Sequence, residues 1–343
     1  MKQQSKRSLA LRVGITVGLL ALLFGYVVDP ATVAAELRLA MGRPVDILIA
    51  ILLYCGLGTV VRGLRWQALT TALGHRISAW RTTELFLVGT FFNQFLPTGM
   101  GGDVVRAIAL ARDGIGKAHA ASTVLVDRAI GLLPLLALGL LALPAVRDHA
   151  TPAVATTLAL VGLAGTLGLA LLFRIDAWLH LAERLPLAGR VLGHGGIRRF
   201  LSSFAEYQRR PLALATGWGF AFAFLLVGAN AALGRAVGIS QMNLFDWAIF
   251  VPLVALSTLL PSIGGWGVRE LLYAGLLGSL PDPVPVASAT ALSILFGAMN
   301  LLLAAAGGIL TGMGSTVGLP QMDLLRREAE ASDAEAAASE DGR

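Results

Sequence analysis

The chain has 343 residues, 56% hydrophobic and 14% charged, with a mean hydropathy of +0.73 and a formal charge of +6. This composition excludes a pair of ordinary soluble domains, and the continuous Leu-, Ala- and Gly-rich runs exclude the alternating strands of an outer-membrane barrel. The single cysteine, Cys55, excludes a disulfide framework and a cysteine-based zinc site.

Taken in order, apolar runs at about 9–28 and 45–63 are long enough to cross a bilayer, which needs ~20 helical residues. The first also resembles a signal-peptide core, but it completes the repeat count only if retained. Region 82–113 is apolar but interrupted by LPTGMGGDVVR at 96–106. Runs at 118–146 and 152–173 are again of spanning length. The basic stretch 174–210 follows, where Ile197, Phe200, Leu201 and Phe204 form an i, i+3, i+4, i+7 stripe. That pattern fits either a helix on the inner leaflet or a linker helix packed on the bundle. A run at 212–233 precedes a second interrupted region, 244–279, broken by LPSIGGWGVR at 260–269. A last run covers 284–313, and residues 323–343 read as a disordered acidic tail. That tail holds seven acids and three bases, leaving +10 on residues 1–322, a bias suited to anionic headgroups rather than nucleic acid.

The two interruptions share Leu-Pro, a hydroxyl residue and GGxxVR. Each divides its region into halves too short to cross alone, so each is expected to be a re-entrant hairpin. Basic residues test this. With the N-terminus inside, seventeen bases fall on the cytoplasmic side, among them Arg62 and Arg65, with three more in the tail and only Arg38, Arg43, Arg147 and Arg235 outside. A single crossing at 82–113 would instead move the seven arginines of 174–210 outside, against the positive-inside rule. The expectation is therefore six full spans and two re-entrant hairpins, N-in/C-in, arranged as inverted repeats at about 9–146 and 152–313.

Three arginines are left at membrane depth: Arg106, Arg128 and Arg269. Unpaired, they would cost on the order of 8–10 kcal/mol together, so each is expected to have a partner or a task. A helix N-terminus after Gly101-Gly102 and another after Gly264-Gly265 would present free N–H groups to an anion. Arg106 and Arg269, one turn further in, would add a fork suited to phosphate oxygens. Thr98 and Ser262 can cap or bind a headgroup, Asn93 and Gln94 can satisfy freed backbone groups or bind substrate, and Trp266 stands at a hairpin tip. For Arg106 the structural alternative is a pair with Asp103. Glu270 does not share a helix face with Arg269, and Arg128 needs a cross-helix partner because Asp127 is adjacent. Asp103, Asp127 and Glu270 are the candidates for a proton-linked step. Asn230 and Asn300 read as interhelical hydrogen bonders, Trp66, Trp80, Trp178 and Trp247 as interfacial belts, and Gly14, Gly18, Gly308 and Gly312 as packing positions. No P-loop, HExxH, GxSxG or metal-ligand cluster occurs, so neither an enzyme nor a bound cofactor is expected.

The stretches FFNQFLPTGMGGDVVRA, VDRAIGL from Val126 and LLPSIGGWGVRE resemble the flippase-like transmembrane domain of lysyl-phosphatidylglycerol synthases, over about residues 10–315. The resemblance implies a lipid-translocating fold with an internal headgroup cavity. Only a short acidic tail follows here, so lysyl transfer is not expected. Together these readings point to a multi-pass protein of the cytoplasmic membrane that moves an anionic, phosphate-bearing lipid. A scaffold for lipid or glycan synthesis enzymes and a carrier for small anions stand as alternatives.

Overall fold

The computed structural model describes residues 13–95, 101–146, 152–174, 195–259, 262 and 264–314. Every element among them is helical: α1 Val13–Val27, α2 Pro30–Met41, α3 Pro44–Ala72, α4 Ala79–Phe95, α5 Gly101–Arg112 and α6 Lys117–Ala142. The second half comprises α7 Pro152–Phe173, α8 Gly195–Ser202, α9 Arg209–Ala236, α10 Leu244–Ala255, α11 Val268–Gly278 and α12 Val286–Gly312. Four helices, α3, α6, α9 and α12, have the length and hydropathy of a membrane span, and a fifth is added if α1 and α2 count as one. Those two meet at 94° because Asp29 accepts from the Ala31 N–H and Pro30 starts a new helix. The chain is thus an all-α, multi-pass membrane protein.

Packing relates the two halves by exchange. Helix α3 lies against α9, α12 packs on α4, and α6 packs on α10, so each half's last long helix covers the other half's interrupted region. Glycines make the close approaches: a Cβ on Gly307 would collide with the Leu87 carbonyl, and one on Gly308 would lie 3.0 Å from the Phe91 ring. A Cβ on Gly14, Gly18 or Gly312 would meet nothing within 4 Å, so of the four glycines expected to pack only Gly308 does, with Gly307 beside it.

Helices α4 and α5 return side by side. Arg81 meets Asp113 at 2.8 Å, Gly89 meets Arg106, and Asn93 accepts the Gly102 N–H at 2.8 Å, a register that only an antiparallel hairpin gives. Near the open end of this hairpin His75 of the α3–α4 loop, His119 in the first turn of α6 and Glu206 of the loop before α9 form a chain of 3.0 Å contacts. At the other end Arg43 donates to the Arg235 carbonyl at 2.5 Å, and Arg235 pairs with Asp46 at 2.9 Å.

Some sequence expectations change. Arg62 and Arg65, counted as loop bases, lie inside α3 and are buried, because that helix runs on to Ala72 rather than ending near 63. Trp66 and Trp247, expected in interfacial belts, are 0% and 2% exposed and belong to the packed core; Gly234 opens the space that Trp247 fills. Phe204 falls beyond the end of α8 and is buried beneath it, which favours packing on the bundle over lying on lipid. Asn230 and Asn300 accept from Tyr273 and Tyr54 on neighbouring helices, at 2.6 and 2.9 Å, as expected.

Candidate functional site

The two glycine pairs use their missing side chains differently. At the first break neither glycine has positive φ; a Cβ on Gly102 would overlap the Gly89 carbonyl, so the residue is required for the hairpin to close. At the second, Gly264, Gly265 and Gly267 have φ of +59°, +81° and +85°, a left-handed path open to glycine at little strain. The two breaks also touch: a Cβ on Gly264 would lie 2.5 Å from the Gln94 amide nitrogen at the end of α4. Ser262 is buried at this junction, whereas Thr98 and the two break prolines lie outside the described residues.

Helix α5 starts at Gly101, and its first turn carries Asp103 and then Arg106, both buried. Arg106 donates from Nη2 to Asp127 Oδ2 at 2.9 Å and stands 3.7 Å from Asp103 through Nη1. The other Asp127 oxygen accepts from Arg65 Nε at 2.7 Å. Asp103 pairs with Arg128, the cross-helix partner that the Asp127-Arg128 adjacency demanded. Arg62 completes the group from one turn below Arg65. Its Nε donates to the Gly58 carbonyl, and its guanidinium lies 4.8, 4.5 and 4.7 Å from the rings of Tyr54, Phe86 and Phe222. Phe86 also faces Arg106 at 5.2 Å, and Arg106 lies 4.0 Å over Trp66. Ring faces attract cations, which explains how helix α3 carries two buried arginines.

Among the described residues the cluster thus gathers four guanidinium groups and two carboxylates on α3, α5 and α6, a formal excess of two positive charges. Arg62, Arg65 and Arg106 are 7%, 4% and 4% exposed. Sequence reasoning missed Arg62 and Arg65 because charge near a span's end reads as a loop. The available signal was their i, i+3 spacing with Trp66 inside a run that stays helical.

The second break is built to neutrality. Glu270 takes the Gly267 N–H at 2.6 Å through one oxygen and Arg269 Nη2 at 2.8 Å through the other. Ser293 of α12 joins them, accepting from Arg269 Nε at 3.1 Å and donating to Glu270 at 2.9 Å. The expectation that Glu270 could not reach Arg269 is corrected: the glutamate curls back to cap its helix, which turns its free oxygen towards the guanidinium. Trp266 stacks 4.8 Å from Arg269, and both pack into the notch at Gly297. The N-terminus expected to await an anion therefore already holds one, its own Glu270.

The model of the lysylphosphatidylglycerol synthase TM region matches residues 9–308. The chain belongs to that family. No curated protein matches it, and neither does any solved structure. Membership ties the chain to membrane-embedded, lipid-related processes, and places both GGxxVR breaks and the α3–α5–α6 arginine cluster within the family region.

Proposed function

We propose that this protein is a flippase that carries an anionic, phosphate-bearing lipid across the cytoplasmic membrane. The observation that carries the reading is the arginine excess at the first break: among the described residues Arg128 pairs with Asp103, Arg65 and Arg106 share the single carboxylate of Asp127, and Arg62 is held by backbone carbonyls and ring faces. Buried charge of one sign in a bilayer is costly, and a passing phosphate offsets it. Arg106, Arg128, Gly101 and Gly102 line the headgroup path. Arg269, Gly264, Gly265, Ser262 and Trp266 form the opposed tip, where the Arg269–Glu270 pair braces the turn.

The chain is read as six crossings with two re-entrant hairpins, N-in and C-in, as inverted repeats. The exchanged packing of α12 on α4 and α6 on α10 supports this arrangement. Alternation of access follows from rocking one half against the other. A proton-linked step would act through Asp103, Asp127 or Glu270, since neutralising one of them frees its arginine for the lipid. The chemistry is transfer without bond-breaking, so no enzymatic activity is assigned.

Reconstitution in vesicles tests the reading. Labelled phospholipids and polyprenyl phosphates are expected to change leaflet with the wild-type protein and to stop with Arg106→Ala/Arg269→Ala. Undiminished movement in that double variant would overturn the site. Absence of transport for every phosphate lipid, with stable co-purification of a lipid-synthesis enzyme, would replace the flippase by a scaffold.

A further inference from the structure

The cluster holds more hydrogen-bond donors than it uses. Three buried nitrogens in it have no partner: Arg65 Nη1, Arg106 Nε and the Trp66 indole Nε1. Their residues are 4%, 4% and 0% exposed, so bulk water does not serve them. Most buried polar atoms are satisfied, and leaving a donor unmet costs free energy, so three such donors within one charge cluster call for an explanation. They belong together. Arg65 and Arg106 bind the two oxygens of one carboxylate, and Trp66 lies under the Arg106 guanidinium at 4.0 Å. Gly131 lets Arg65 press against α6, since a Cβ there would stand 3.1 Å from Nη1.

All three are donors, and the side chains around them carry an excess of two positive charges. A water molecule satisfies donors without charge; an oxyanion satisfies both. We infer that Arg65, Trp66 and Arg106 form a single seat for one phosphate-like oxyanion, and that the protein has one such seat rather than two equal tips. The inference rests on the anionic-ligand reading above, narrows it to the first break, and brings in Arg65 and Trp66. Asp127 bridges the two guanidinium groups through its two oxygens. The closed packing means that the α4–α5 hairpin must shift to admit the anion.

The test uses the purified full chain in a neutral detergent, titrated calorimetrically with dioctanoyl phosphatidylglycerol, dioctanoylglycerol and inorganic phosphate. Trp66→Phe keeps an aromatic ring under Arg106 and removes the N–H together with part of the indole; Arg65→Gln removes one charge. Thermal unfolding of each variant establishes that it is folded. Phosphatidylglycerol is expected to bind with saturation near one per chain, and dioctanoylglycerol to fail. Each substitution is expected to weaken phosphatidylglycerol binding about tenfold or more, the worth of one hydrogen bond to a charged group. The surface variant Arg235→Gln is expected to stay within about twofold, as a rim charge does.

Binding of inorganic phosphate alone, weakened by the same two substitutions, would uphold the seat and overturn the lipid reading. Lipid binding that both variants retain, or that only Arg269→Gln abolishes, would overturn the seat and leave the lipid reading standing. Failure of wild-type protein to bind either phosphate ligand would overturn both.

Discussion

Asp127→Asn isolates the electrostatics of the cluster. The side chain is 2% exposed and holds Arg65 at 2.7 Å and Arg106 at 2.9 Å. An amide keeps the volume and one acceptor oxygen, but it removes the charge and turns an NH2 group towards one of the guanidinium groups. The local excess rises from two positive charges to three. Removing one partner of a buried ion pair costs about 3–5 kcal/mol, and here one carboxylate serves two cations, so the upper part of that range is expected. Arg65→Gln alone moves the excess the other way and is expected to cost less.

The double variant decides between charge and shape. Arg65→Gln/Asp127→Asn restores the original excess and is expected to be more stable than Asp127→Asn alone, with a coupling energy of about 1–3 kcal/mol. Equilibrium unfolding of the full chain in mixed micelles, followed by tryptophan fluorescence, measures all three variants against wild type. Costs that add within about 0.5 kcal/mol would refute the claim that excess buried charge governs this region.

Gly102→Ala is expected to open the α4–α5 hairpin and cost at least about 3 kcal/mol, because the new methyl meets the Gly89 backbone rather than a flexible side chain. Gly14→Ala and Gly18→Ala, with nothing within 4 Å, are expected to stay within about 0.5 kcal/mol in the same unfolding assay. Glu270→Ala removes both the Gly267 cap and the Arg269 partner and is expected to cost about 3–5 kcal/mol, whereas Glu270→Gln, which keeps an acceptor for the cap, is expected to cost less. Burial and then the neighbouring His119 depress the proton affinity of His75, outweighing the attraction of Glu206. Since the folded protein binds this proton more weakly than the unfolded chain, the contribution of His75 is complete above the unfolded value of about 6.5 and lost as pH falls through the folded one. Melting temperatures between pH 7.5 and 5.5 are expected to fall less steeply in His75→Gln than in wild type.

The helical membrane class and both breaks were legible because apolar run length and the LP…GG interruptions are one-dimensional signals. The cluster was only half legible. Arg106 and Arg128 announced themselves as charges with no loop to occupy, and Asp103 could be paired with Arg106 by helix spacing, but the cross-helix partner of Arg128 could not be named. Arg62 and Arg65 did not, because a charge near a span's end is ordinarily solvated. What holds them in the helix is carbonyls, ring faces and Asp127, brought together only by packing of α3 with α4, α6 and α9. Arg269 was misread for the converse reason: adjacency forbids pairing on one helix face, but a capping glutamate leaves its face to reach the N-terminus.

The two copies of GGxxVR therefore share a backbone task and divide the electrostatic one. Both breaks need glycine, the first for contact with Gly89 and the second for a left-handed turn, and both place an arginine on the first turn that follows. In the second copy the residue after that arginine is Glu270, and the cap makes the tip neutral and tied to α12 through Ser293. In the first copy the corresponding position is Ala107, and Arg106 donates across helices to Asp127, in company with Arg65, with Asp103 of its own helix 3.7 Å away. A neutral, braced tip suits a fulcrum, and an under-neutralised one suits a ligand. The alanine-for-glutamate difference after a shared motif leaves the first copy without a capping carboxylate, and the unmet donors of Arg65, Trp66 and Arg106 gather beside that copy.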